Sequence, residues 1–177
     1  MQLRLATRVP SGSGEEWQAW AVRLSSDMEP RDGWPSGLWR VPYTPSAVPG
    51  AAMPSSWLDG SNCQRFAYGV LGLFGQQVPP LRSSELLADQ SAWLTIDDPL
   101  PLDLVLYSHG GEAFGAHVGV WFDNDSILHL CAEAGRPAVW SASDFVARAR
   151  YAHVVGFKRA RACPASGCSS VATPGSR

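Results

Sequence analysis

Apolar residues recur along the chain with two different periods, and the first to appear is helical. Trp17, Trp20, Ala21 and Leu24 fall at i, i+3, i+4 and i+7, the spacing of one helix face. Ser13 and Glu16 stand ahead of them at capping-box spacing, so a helix is predicted over about 14–25. The same period returns from Cys63 to Phe74: Phe66, Ala67, Val70, Leu71 and Phe74 share a face, and Gly75 supplies the stop. A third helix is expected over 83–94, with Leu86, Leu87 and Trp93 inward. A fourth opens at Ser141, with Asp144 three residues on, and runs to about Arg150.

Between the last two helices the period shortens to that of strands. Leu102–Tyr107 is a short apolar run led by Pro101. Ala116–Phe122 and Ser126–Cys131 flank the polar turn Asp123-Asn124-Asp125, and His153–Arg159 closes as a strand. Helices come first and an antiparallel meander follows, which is an α+β order and not alternating βαβ. Residues 27–60 are rich in Pro and Gly and carry Trp34, Trp39, Tyr43 and Trp57. Turn-rich chain is expected there, its aromatics either anchoring it to the core or walling a ligand site. From 161 onward small and polar residues predict a disordered tail holding Cys163 and Cys168. The resulting division is an N-terminal extension over 1–50, one domain over 51–160 and the tail over 161–177.

Composition narrows the function classes. With 177 residues and 45% hydrophobic types, one sizeable core is expected. A net charge of −2 argues against a dedicated nucleic-acid binder, although every acidic residue lies before position 145 and the C-terminal end is basic. No stretch approaches the roughly 18–20 consecutive apolar residues of a membrane span. No apolar run of secretory type follows Met1, so a cytoplasmic location is expected, with a phage or secretion-system route as the alternative. Four cysteines are too few for a disulfide scaffold.

One of those cysteines carries candidate chemistry. Cys63 opens the predicted helix, where unpaired N–H groups and the helix dipole favour a thiolate and provide half of an oxyanion hole. If Phe122 pairs with Ser126 across a three-residue turn, then His117, Gly119, His129 and Cys131 project from one sheet face. His117 and His129 become diagonal neighbours with Gly119 leaving room between them. That arrangement suits His117 as general base for Cys63 and His129 as the group orienting its ring. A zinc site built from the two histidines with Cys131 and Cys63 is the competing reading. His109 and His153 are weaker candidates for the base, since neither has a polar partner at strand spacing. The expected constellation needs neither metal nor cofactor.

The pieces Asn62-Cys63-Gln64-Arg65-Phe66-Ala67, Pro101-Leu102-Asp103-Leu104, His117-Val118-Gly119-Val120 and Ile127-Leu128-His129, in that order, resemble the NlpC/P60 cysteine peptidases over roughly residues 55–160. The resemblance implies a compact papain-like α+β domain, with helices packed against an antiparallel sheet. It implies cleavage of amide bonds in peptidoglycan stem peptides, commonly the γ-D-glutamyl bond, by a triad of Cys63, His117 and His129. A peptide or muropeptide is then the partner, with Asn62, Gln64, Arg65 and Trp57 as substrate contacts. The family's Asp-Cys-Ser-Gly is replaced here at Asn62, Gln64 and Arg65. Leu102 stands at the Gly of the family's Gly-Asp-Leu, and Tyr43 or Trp57 takes the place of an upstream tyrosine. Acyl transfer or amidase chemistry through a Cys63 thioester is a second class, and a non-catalytic binding module on this fold is a third.

Overall fold

The structure, a computed structural model, describes residues 37–161 apart from Asn124. The helix expected over 14–25 and the tail from 162 lie outside these residues. Six strands form a single antiparallel sheet: β1 (Trp93–Ile96), β2 (Leu104–Ser108), β3 (His117–Asp123), β4 (Ser126–Leu130), β5 (Pro137–Ser141) and β6 (His153–Ala160). Their spatial order is β1-β6-β2-β3-β4-β5. With three short α-helices, α1 (Cys63–Leu73), α2 (Ser83–Ala88) and α3 (Ala142–Val146), this is an α+β domain.

The sheet is covered on both faces. Helix α1 buries Phe66, Ala67, Val70 and Leu71, the face its period foretold, against Leu104, Leu106, Val118, Val120, Leu128 and Leu130. Each of these side chains other than Ala67 contributes roughly 1.5–3 kcal/mol by leaving water. On the other face Val105, Tyr107 and Ile127 pack with Phe145 of α3 and with Tyr151, which sits in a 3-10 turn over Ala149–Tyr151. All five residues of β2 are buried, and its sequence is correspondingly an unbroken apolar run rather than an alternating one. The Pro-rich stretch contributes to the first core: Leu38 and Val41 are fully buried in it, with Trp39, Tyr43 and Trp57 packed alongside.

The structure departs from the sequence expectation at several points. The helix foreseen over 83–94 stops at Ala88, because the Asp89 carboxylate accepts the N–H groups of Ser91, Ala92 and Trp93 and turns the chain. Trp93, expected on that helix, instead starts β1 with its side chain buried. The β3–β4 hairpin pairs Val120 with Leu128 and Trp121 with Ile127, then slips at a bulge so that Asp123 meets Ser126. The turn is therefore one residue shorter than the expected Asp123–Asp125, and Asp125 takes φ 82°. The fourth helix is capped as expected, Ser141 and Asp144 forming a capping box, but it ends at Val146 before the 3-10 turn. Strand β5 was not foreseen at all.

At the entry to β2, Leu102 adopts φ 73°, the left-handed region that glycine enters freely. The next residue, Asp103, receives a bidentate ion pair from Arg159 of β6, at 2.9 and 2.6 Å, which fixes the register of those two strands. Burial outweighs that partner and raises the Asp103 carboxyl.

Gly119 is the tightest point of the hairpin. A Cβ there would lie 2.4 Å from Cγ2 of the fully buried Ile127 and 3.6 Å from Cβ of His129. Gly119→Ala is expected to cost about 1–3 kcal/mol through overpacking. A lowered midpoint of thermal unfolding is the readout, and an unchanged midpoint would contradict it.

Candidate active site

Asn62 begins the site by starting the helix. Its extended backbone and side chain make it the N-cap of α1, its Oδ1 accepting the Arg65 N–H at 2.8 Å. Cys63 is thereby the first helical residue, half-buried as a whole, and its sulfur sits by the N–H groups of Cys63, Gln64 and Val118. Val118 follows His117, so the contact brings the head of α1 to the beginning of β3.

His117 and His129 project together, as the alternation of the hairpin requires. His117 Nε2 lies 3.2 Å from His129 Nδ1, a buried hydrogen bond between rings whose planes stand 86° apart. This bond uses Nε2 of His117 and leaves Nδ1 as the nitrogen free for proton exchange with a thiol. The pair is boxed by Phe145, Tyr151 and Trp140. Cys63 and His117 both line a hollow of about 250 Å³. It opens where β2 ends, β3 begins and β4 has just ended, since Ser108, Gly115 and Cys131 also face it. The thiol arrives from the α1 side of the sheet and the His117 imidazole from the other, and both face this hollow.

The electrostatics reverse one expectation. Burial pushes the Cys63 thiol up, with the three backbone N–H groups pulling against it, so the helix start does not make a resting thiolate. Burial likewise holds His117 well below its usual value, helped by His129 and Arg150. His129 is lowered to about 3 by burial and then by Arg148. Sulfur and both rings are thus neutral at rest. Such a site can pass a proton from thiol to imidazole as a carbonyl is attacked.

The four expected substrate contacts are placed elsewhere. Asn62 serves as the cap. Gln64 is buried and donates to the Tyr68 hydroxyl at 2.9 Å. Arg65 donates to the Pro54 carbonyl and, with Trp57, lines a second hollow of about 480 Å³. Trp57 also covers Gly69 and meets Phe66 edge-on at 5.9 Å. None of the four lines the hollow over Cys63.

The residues that do line it include Tyr43, Glu112, Arg150 and Tyr151. Tyr43 is brought there by an isolated parallel bridge to Ser61, two residues before Cys63, and burial followed by Cys63 raises its phenol. The upstream-tyrosine pattern left Tyr43 and Trp57 as alternatives, of which Tyr43 lines this hollow; no spacing in the chain pointed to Arg150 or Tyr151. His109 is exposed at the rim with Nδ1 2.7 Å from the Ala149 carbonyl, and His153 is exposed at the start of β6. Among the described residues no group of three or more His, Cys, Asp or Glu is arranged to hold a metal ion, and no helix is long and apolar enough to cross a membrane.

No family model matches the chain, and no curated protein matches it in sequence. Solved structures do resemble it. NlpC2 from Trichomonas vaginalis superposes with a TM-score of 0.52 at 14% identity, over 90% of this chain and 50% of that one. NlpC1 from the same organism gives 0.50 at 14% identity, over 88% and 48%. The peptidoglycan hydrolase RipB from Mycobacterium tuberculosis gives 0.46 at 20% identity, over 87% and 68%. The chain thus spans about half the length of the two Trichomonas proteins. With an antiparallel six-stranded sheet, helix α1 laid across one face and short helices around it, the described residues thus have the NlpC/P60 fold.

Proposed function

We propose that this protein is a cysteine hydrolase that cleaves amide bonds in peptidoglycan-type peptides, the γ-D-glutamyl bond among them, through Cys63, His117 and His129. The observation that supports it is the shared hollow: Cys63 and His117 face one space, and His117 is hydrogen-bonded from behind by His129. The rim of that hollow is polar, with Ser108, His109, Glu112 and Arg150. Such walls suit a peptide better than the acyl chain of an acyltransferase substrate.

In the proposed reaction Sγ of Cys63 bonds to the carbonyl carbon as its proton moves to Nδ1 of His117. The carbonyl oxygen becomes an oxyanion, which N–H groups at the head of α1 stabilise, each donor being worth on the order of 3 kcal/mol. Collapse breaks the C–N bond, and the His117 proton leaves with the amine. His117 then takes a proton from water as the water oxygen attacks the thioester; the C–S bond breaks, the acid leaves, and the proton passes from His117 to the Cys63 sulfur. His129 holds the His117 ring throughout.

Mass spectrometry of purified muropeptides incubated with the whole protein tests this. A cleavage product from wild type and none from Cys63→Ala is the expected result. No product from wild type across stem peptides of different length would overturn the reading.

A further inference from the structure

The bond between the two imidazoles leaves one nitrogen of His129 to account for. Its Nε2 is buried and has no hydrogen-bonding partner among the described residues. The ring is packed against aromatics: Trp140 at 4.2 Å between centroids, inclined 58°, and Phe145 at 4.7 Å, edge to face at 63°. A neutral imidazole carries one N–H and one lone pair. The negative face of an aromatic ring attracts an N–H and repels a lone pair.

We propose that Trp140 and Phe145 form an aromatic cage that holds His129 as its Nε2–H tautomer, and so sets the direction in which the pair can pass a proton. With the proton on Nε2, Nδ1 of His129 bears the lone pair and accepts from His117 Nε2–H across the 3.2 Å contact. The lone pair of His117 is then on Nδ1, where a base for Cys63 needs it. The opposite tautomer of His129 would donate from Nδ1, force the His117 proton onto Nδ1 and block that base. Trp140 is accordingly a positioning residue, acting through His129.

The cage is itself held in place. Trp140 pairs with Ile127 across β4 and β5 and packs on Phe145 at 5.2 Å. Phe145 sits in α3, fixed by the Ser141–Asp144 capping box. The Arg148 guanidinium lies 3.9 Å from the Trp140 ring centroid and is anchored to Glu133 at 3.0 Å. Its charge also opposes a second proton on His129, which keeps the ring in the neutral state where tautomers matter.

The catalytic consequence rests on the hydrolase reading, whereas the tautomer is measurable without any substrate. Full-length protein labelled with 15N-histidine, with His117 and His129 assigned from His→Gln variants, reports which ring nitrogen bears the proton. At neutral pH both residues are expected as Nε2–H forms. In Trp140→Leu the His129 signals should move toward a mixture of tautomers, and kcat should fall about tenfold with KM unchanged, a fraction of what a wrong tautomer costs a catalytic triad. Trp140→Phe should restore both. A wild-type His129 protonated at Nδ1, or a pure Nε2–H form persisting in folded Trp140→Leu, would overturn the proposal. Should Trp140→Leu not fold, the wild-type spectrum alone decides. Absence of hydrolysis with the expected tautomer present would count against the hydrolase reading and not against the cage.

Discussion

Cys63→Ala and His117→Ala are each expected to lower hydrolysis by at least about 10⁴-fold, while His129→Ala leaves a measurable remnant. Members of such a unit are strongly non-additive, so the Cys63→Ala/His117→Ala double variant should be no slower than either single one. The grading follows from position. Cys63 and His117 face the hollow, whereas His129 reaches the reaction only through the His117 ring. Initial rates on the muropeptide identified by mass spectrometry provide the measurement, and equal activity in all three single variants would contradict the roles. The same geometry fixes the reactivity of the free enzyme. A thiol raised by burial beside a lowered imidazole forms no resting ion pair. Iodoacetamide should therefore alkylate Cys63 no faster than free cysteine near neutral pH. Fast alkylation at pH 6 would show a standing thiolate.

Acid is expected to destabilise the fold well before its carboxylates titrate. Both histidines have native values below the ordinary 6.5, His129 at about 3. Between the native and unfolded values the unfolded chain binds more protons, so stability falls as pH falls through that window and is regained above about 6.5. At 1.36 kcal/mol per unit, His129 alone loses roughly 2 kcal/mol between pH 6.5 and 5. The midpoint of urea unfolding should drop steadily over that range at constant slope. His129→Gln, which keeps a polar side chain without a titrating ring, should flatten part of the drop. An unfolding midpoint independent of pH between 6.5 and 5 would show that the rings are not held neutral.

What the sequence made legible was decided by the length and regularity of each signal. Helix α1 and the β3–β4 hairpin carry sustained periods, and there the apolar face of α1 and the shared side of His117 and His129 follow from alternation alone. Strand β5, Pro137-Ala138-Val139-Trp140-Ser141, opens on proline and lacks the apolar run that marks the equally short β2 and β4. The segment 83–94 reads as one helix because Leu86, Leu87 and Trp93 fit a single face; that Asp89 would collect three N–H groups depends on its side-chain rotamer, which no period encodes. Asn62 illustrates a signal with two meanings. Asparagine ahead of a helix is a cap preference as well as a polar group beside a nucleophile, and here the side chain is engaged as the cap. The charge state of Cys63 was misjudged because the helix start is a local feature, whereas burial is set by chain arriving from β3, β4 and the Tyr43 segment.

The position of β6 bears on how the protein is made. This last described strand is inserted between β1 and β2, and among the described residues β1 has no other neighbour in the sheet. A ribosome delivers residues 93–96 long before residues 153–160, so on a growing chain β1 waits without a partner while the β2–β5 meander can already form. Final closure thus waits for residues 153–160, and a nascent chain stalled short of residue 153 would present Trp93 and an open edge of β2 to chaperones.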